Sequence, residues 1–417
     1  MNQGRALALR SWWAAHHATL LRLALVLMAL AAGLRLRNEF SRLLLEPGPT
    51  GAVDLKLRLN EVQLWFAGTP VYSEFKSAAY PPATFLLLWP LLGWLPVTPA
   101  RWLWAATTVP FLAWLVYLTV RESRAATLLE RAWVTLLPLS MYATSATIGN
   151  GQLIVHILPP LLAGLLLLHH KRGEWPGDWL AAALILAALV KPSVSAPFFW
   201  MAVFVPGTLR PAFLIALGYL AITLFAASFQ EDGVLTLFRE WLARSADVRG
   251  GYANLHDWLV TLGLEELILP SSLLVLGALG VWTYRHRHGD FWLLLGVTAL
   301  VARFWTYHRL YDDLLILLPM IALFRIAKSG PSDDGNEVVA GALLALTWVA
   351  VLAPARWLSF PPPWDWLFAT GQTIVWTLVL IFLFIQVRRE KTPTHGGVGR
   401  DGVYTALGRP VNWGLMS

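Results

Sequence analysis

A carboxylate, Asp54, stands in the run GAVDLKLRLNEVQLWFAGTPVYSEFKSAAYPP, just beyond the first long apolar stretch of the chain. An ionisable group kept close to lipid is a signal of function, and a carboxylate suits a general base that takes a proton from a sugar or lipid hydroxyl. Its competing role is an ion pair with Arg58, four residues on along a helix. Tyr72, in the Gly68-Thr-Pro-Val-Tyr turn, and Tyr80, in Tyr80-Pro81-Pro82, offer contacts to a sugar or acceptor; the same residues also read as a rigid turn with interfacial rings. Asn150 and Gln152, in Gly149-Asn150-Gly151-Gln152, present amides suited to sugar hydroxyls where an apolar run ends, a place at which a Gly-rich turn is also the ordinary stop. Lys191-Pro192 interrupts another apolar run. Pro192 ends the preceding helix, and Lys191 serves either that helix's C-terminus or a phosphate.

The densest run is Arg303-Phe-Trp-Thr-Tyr-His308-Arg309-Leu-Tyr-Asp312-Asp313. A guanidinium is a planar fork that matches phosphate oxygens, so Arg303, His308 and Arg309 read as ligands of a phosphate. The alternative is solvation of the membrane interface. A metal site built from His308, Asp312 and Asp313 is disfavoured because adjacent aspartates do not share a helix face, and no metal is expected. His256-Asp257 reads as structural.

These residues need a frame, and composition says of what kind. Hydrophobic residues are 57% and charged residues 14% of 417, and mean hydropathy is +0.57. Soluble domains carry about a quarter charged residues, so the chain reads as an all-α polytopic membrane protein. Lipid forces every backbone group to be satisfied internally, and no ten-residue alternation of a membrane barrel recurs. The 23 Trp fit interfacial belts. The net charge of +7 is dispersed over short loops, where it sets topology and meets membrane lipids rather than nucleic acid. With no cysteine, thiol chemistry and disulfides are excluded.

The periodicity predicts about twelve transmembrane helices, near 18–34, 100–120, 131–147, 153–168, 179–190, 193–206, 211–228, 268–284, 291–305, 312–327, 338–354 and 366–387. The first, after Arg5 and Arg10, reads as an uncleaved signal anchor. With both termini cytoplasmic, the basic loops at Arg121/Arg124/Arg131, Lys171/Arg172, Arg210, Arg285/Arg287 and Arg325/Lys328 fall inside. Residues 83–96, broken by Pro90 and Gly93, must then not cross. The outer side holds 35–99, with amphipathic helices, and 148–152, 229–260, 303–312 and 355–365. Arg35, Arg37, Lys56, Arg58, Arg239, Arg244, Arg249, Arg303 and Arg309 lie there against the usual bias, which suggests an anionic ligand. A single membrane-embedded domain spans 1–390, and 391–417 read as a disordered cytoplasmic tail.

Taken in order, Asp54, G-T-P-V-Y at 68–72, Y-P-P at 80–82, G-Q at 151–152, K-P at 191–192 and Y-H-R-L-Y-D-D at 307–313 resemble the GT-C glycosyltransferases, most closely family 87. The resemblance runs over about residues 18 to 390. It implies a GT-C fold and an inverting transfer of a hexose, expected to be mannose, from a polyprenyl-phosphate-sugar donor to a lipid or glycan acceptor. Asp54 would be the base, with His308, Arg309, Arg303 and Lys191 at the donor phosphate and Tyr72, Tyr80, Asn150 and Gln152 at sugar or acceptor. It implies no cofactor, and a site on the extracytoplasmic face of a cell membrane. A polyprenyl-linked sugar transporter or flippase, and a polysaccharide polymerase or ligase, are the competing functions.

Overall fold

The computed structural model describes residues 3–389 apart from 76, 172, 249–250, 331–333, 355–356 and 358–359, with only the backbone at 3–15 and 17. Arg172, Arg249 and the tail expected at 391–417 lie outside the described residues.

The described chain is helical throughout. Helix α1 (Gln3–Leu45) leads to a small layer of short helices: α2 (Val53–Phe66), α3 (Val71–Glu74) and α4 (Pro82–Leu92). Then come α5 (Val97–Glu122), α6 (Leu128–Ser140), α7 (Tyr142–Asn150), α8 (Ile154–His170), α9 (Trp175–Ala188), α10 (Pro192–Ser195), α11 (Phe199–Phe204) and α12 (Arg210–Ala227). A second polar excursion carries α13 (Val234–Asp247) and α14 (Leu255–Thr261). The chain finishes with α15 (Ile268–His286), α16 (Phe291–Phe304), a 3-10 segment at Leu310–Ile316, α17 (Leu317–Ala327), α18 (Asn336–Leu352) and α19 (Trp364–Arg389).

Every apolar run expected to cross is helical, yet length and composition mark only five helices as crossings by themselves, α1, α5, α12, α15 and α19, or six with α7 and α8 taken as one span bent by 118°. The remaining runs are shorter helices or are broken by turns. Met141 leaves the α-region between α6 and α7, and 3-10 segments sit at Ala196–Phe198 and Leu310–Ile316. Such breaks are tolerated at depth only where neighbouring helices cover them. The α8 face and the segment from Leu310 through α17 are accordingly buried almost without exception. The 11-residue α4 is about 16 Å long at 1.5 Å per residue, short of a hydrocarbon core of about 30 Å. It packs on α2 and α12.

Local sequence explains the helix starts. Thr127 and Glu130 form a reciprocal cap on α6, and the Asp290 carboxylate accepts from the Trp292 and Leu293 amides (2.8 and 3.1 Å) to open α16.

The first segment expected outside departs from its boundary. Helix α1 runs to Leu45, so Arg35 and Arg37 ride on the helix instead of lying in a loop. Arg35 does not await an anionic ligand: its Nη1 donates to the Ser140 carbonyl (2.5 Å) and its Nη2 to those of Leu352 and Ala353 (2.6 and 3.2 Å). It thereby satisfies open carbonyls at the ends of α6 and α18. Arg101 does the same for α1, through the carbonyls of Leu43, Arg42 and Glu46. Lys56 donates to Gly48 O (2.9 Å) and Arg244 to Tyr72 O (2.6 Å). Several of the cations expected outside therefore donate to backbone carbonyls within the fold.

Candidate functional site

The Gly149-Asn150-Gly151 turn is the seat of α2. Ala52, in the left-handed region at φ 51°, donates its N–H to Gly149 O at 3.1 Å. Gly151 has φ +70°, and a Cβ there would stand 2.5 Å from the Leu55 Cβ, so only glycine lets α2 approach. Asn150 Oδ1 accepts from Arg42 Nη1 (2.9 Å), tying the turn to the end of α1. Gln152 is buried beside it, with its amide oxygen 3.4 Å from the Leu153 N–H. Asn150 thus serves the seat.

That seat places Asp54 in the first turn of α2, half-buried, where the helix dipole favours a carboxylate. The alternative pairing with Arg58 does not form. Arg58 instead pairs with Glu61, donates to Ser77 O (3.2 Å) and lies 4.4 Å over the Tyr80 ring. Ser77 Oγ in turn donates to Glu61 Oε1 at 3.1 Å. Among the described residues Asp54 itself makes no hydrogen bond or ion pair.

Tyr72, expected at the sugar or acceptor, is buried, and its hydroxyl donates to the Tyr80 carbonyl at 2.7 Å. It braces the turn that presents Tyr80. Tyr80 remains partly exposed, under the Arg58 guanidinium.

The 303–313 run divides into two networks because consecutive side chains on a helical turn diverge. Asp312 takes Lys191 Nζ on one oxygen (2.6 Å) and His308 Nδ1 on the other (3.0 Å), all three side chains being buried. Burial would lower the Lys191 ammonium's pKa, but the Asp312 carboxylate outweighs it and holds the lysine charged. Burial pulls the His308 imidazole below its ordinary value despite the Asp312 contact. His308 Nε2 is buried with no hydrogen-bond partner among the described residues. Arg309 is exposed, and its Nε donates to the Tyr307 hydroxyl.

Asp313 faces the other way, accepting from the Tyr142 and Tyr252 hydroxyls and from Arg303 Nε at 2.5 Å. Arg303 is fully buried, and its Nη atoms donate to Ala253 O and Tyr252 O (3.3 and 3.2 Å). To reach a donor phosphate, its expected role, Arg303 would have to give up a buried ion pair and two carbonyl contacts.

One electrostatic cluster nevertheless assembles. Burial raises the Tyr311 hydroxyl, and the largest charge adding to that rise is Asp54; the Asp54 charge also acts on Tyr80, Lys191 and Arg309. The Lys191 ammonium stands 4.9 Å over the Tyr311 ring. Asp54, Tyr80, Tyr311, Lys191 and Arg309 are therefore near enough for their charges to act on one another, and Lys191 carries the Asp312–His308 pair with it. Sequence reasoning missed Glu61, which fixes Arg58, and Tyr142, Tyr252 and Asn254, which hold the 303–313 run; the Asn254 amide points to His308 O at 3.4 Å. A polar Tyr142 at the break of an apolar run was the available signal. Among the described residues no group of three or more His, Asp or Glu side chains is arranged to hold a metal.

No curated protein and no solved structure matches the chain. A family model described as Glycosyltransferase family 87 matches residues 78–326, a stretch that includes Tyr80, Lys191, His308 and Arg309 and begins after Asp54. Well over half of the helical, membrane-type chain is matched, and the chain belongs to glycosyltransferase family 87.

Proposed function

We propose that this glycosyltransferase moves a hexose, mannose in our reading, from a polyprenyl-phosphate donor to a lipid or glycan acceptor with inversion. The reaction takes place on the extracytoplasmic face of a cell membrane. The observation that carries the reading is the state of the carboxylates. Glu61, Asp312 and Asp313 each hold a cation, whereas Asp54, in the same cluster, makes no hydrogen bond or ion pair among the described residues. A base must keep its lone pairs available to a substrate hydroxyl. Asp54 takes the acceptor's proton as that oxygen attacks the anomeric carbon. The bond from that carbon to the phosphate oxygen breaks, and the electron pair leaves with polyprenyl phosphate. Fixed cations aimed at the departing charge are the remaining requirement. Arg309 and Lys191 supply them, while His308 holds Asp312, and through it Lys191, by its Nδ1–H.

The test is transfer by the purified protein alone from a polyprenyl-phosphate-hexose. A transporter gives no product, and a polymerase or ligase needs a preassembled glycan donor. In that assay Arg309→Ala is expected to lose a charge-assisted contact, about 1.5–3 kcal/mol, as a raised donor Michaelis constant with every acceptor. A change confined to acceptor kinetics would remove Arg309 from the phosphate.

Sidedness is tested separately, since the chain has no cysteine background. Cysteine introduced at exposed Ser73 should react with an impermeant maleimide on intact cells, and at exposed Ala126 it should not. The reverse pattern inverts the topology and puts the cluster inside.

A further inference from the structure

Helix α13 has three faces. Leu237, Trp241, Arg244 and Ser245 meet the protein: Leu237 is buried, the Trp241 indole donates to Ala79 O (3.1 Å), Arg244 Nε to Tyr72 O (2.6 Å) and Ser245 Oγ to Ala79 O (3.3 Å). Thr236, Ala243 and Asp247 are exposed in a second sector about a third of a turn away. Between these faces runs an apolar strip of Leu235, Phe238 and Leu242, which a 3.6-residue repeat puts in one narrow sector. Leu235 is 72% and Phe238 46% exposed, a poor arrangement for a helix bathed in water on that side.

What covers the strip follows from its neighbour. Helix α13 packs against the end of α12, one of the helices long and apolar enough to cross a membrane. The outward rings there, Phe225 and Phe229, stand edge to face at 5.4 Å and are both exposed. Exposed apolar rings on a spanning helix meet lipid, and the strip lies on the helix packed at its end. Arg239 is exposed at the strip's flank, where a long cationic side chain reaches lipid phosphates while its stem stays in apolar surroundings.

We propose that α13 lies in the lipid–water interface, with Leu235, Phe238 and Leu242 sunk at the boundary of headgroups and acyl chains. It acts as a strap: its protein face grips the carbonyls of Tyr72 and Ala79, so the turn presenting Tyr80 is set at a fixed height relative to the bilayer surface. The partner is the lipid surface itself, and the inference does not depend on the donor, the acceptor or the role of Asp54.

The full-length chain, spin-labelled at single introduced cysteines and placed in nanodiscs of phosphatidylcholine and phosphatidylglycerol, gives a direct reading. Labels at 235, 238 and 242 should collide more with dissolved oxygen than with a water-soluble nickel chelate, and labels at 236, 243 and 247 should show the reverse. Nickel-dominated collisions at the strip would place it in water. Shielding of the strip from both reagents would mean that a second copy or a partner protein covers it. Either result overturns the proposal.

Discussion

Replacing Asp54 by Asn is expected to slow glycosyl transfer by about 10²–10⁴-fold, the usual cost of losing a general base, equivalent to about 2.7–5.4 kcal/mol of barrier. The size of the effect follows from what Asp54 does not do. It holds no neighbour in place among the described residues, so its amide replacement keeps the shape of the first turn of α2 and removes only the proton acceptor. The fold loses at most the charge–dipole term of a first-turn carboxylate, about 0.3–1 kcal/mol. Expression and donor binding should therefore survive while turnover at saturating donor falls. Asp54→Glu keeps a base but moves it by one methylene, and should fall between the two. Near-normal turnover in the Asn variant would return Asp54 to a structural role and direct the search for a base to other groups of the cluster.

Much of this was legible in the chain, and what was not has a physical reason. Apolar runs betray membrane helices because hydropathy is a local property. The runs expected from 100 onward reappear as α5 to α19, cut where a turn intervenes. The extent of α1 was not legible. Arg35, Arg37, Asn38 and Glu39 look like the start of a loop, but Arg35 finds carbonyls at the ends of two distant helices and Arg42 pairs with Glu39 at 2.7 Å, so the helix continues. Candidate site residues were read by type, while the contacts they make are with partners far away in sequence. Lys191 meets Asp312 across 121 positions, and Tyr142 meets Asp313 across 171. A single chain carries no local trace of such pairings. For that reason Arg303 and Arg309 looked equivalent when read from the sequence: both are arginines in one aromatic run. The fold turns one inward to a carboxylate and the other outward.

That difference sets the second large effect. Arg303→Met should destabilise the protein by about 3–5 kcal/mol, the cost of breaking a buried ion pair and stranding one charge. Asp313 would keep the Tyr142 and Tyr252 hydroxyls but lose its only cation among the described residues, and the carbonyls of Tyr252 and Ala253 would lose their donors. Asp313→Asn alone should cost a similar amount, about 3–5 kcal/mol, because the amide still accepts a tyrosine hydroxyl but the buried Arg303 guanidinium is left without its carboxylate. The double variant tests the pairing: once Asn stands at 313 no carboxylate is left to strand, so adding Arg303→Met should cost clearly less than it does alone, giving a favourable coupling of about 0.5–3 kcal/mol. Thermal unfolding in detergent would report the series. Donor kinetics on the folded fraction of Arg303→Met give the complementary reading. A structural pin leaves the donor Michaelis constant close to that of the wild type. A wild-type unfolding temperature combined with a raised donor Michaelis constant would put Arg303 back at the phosphate.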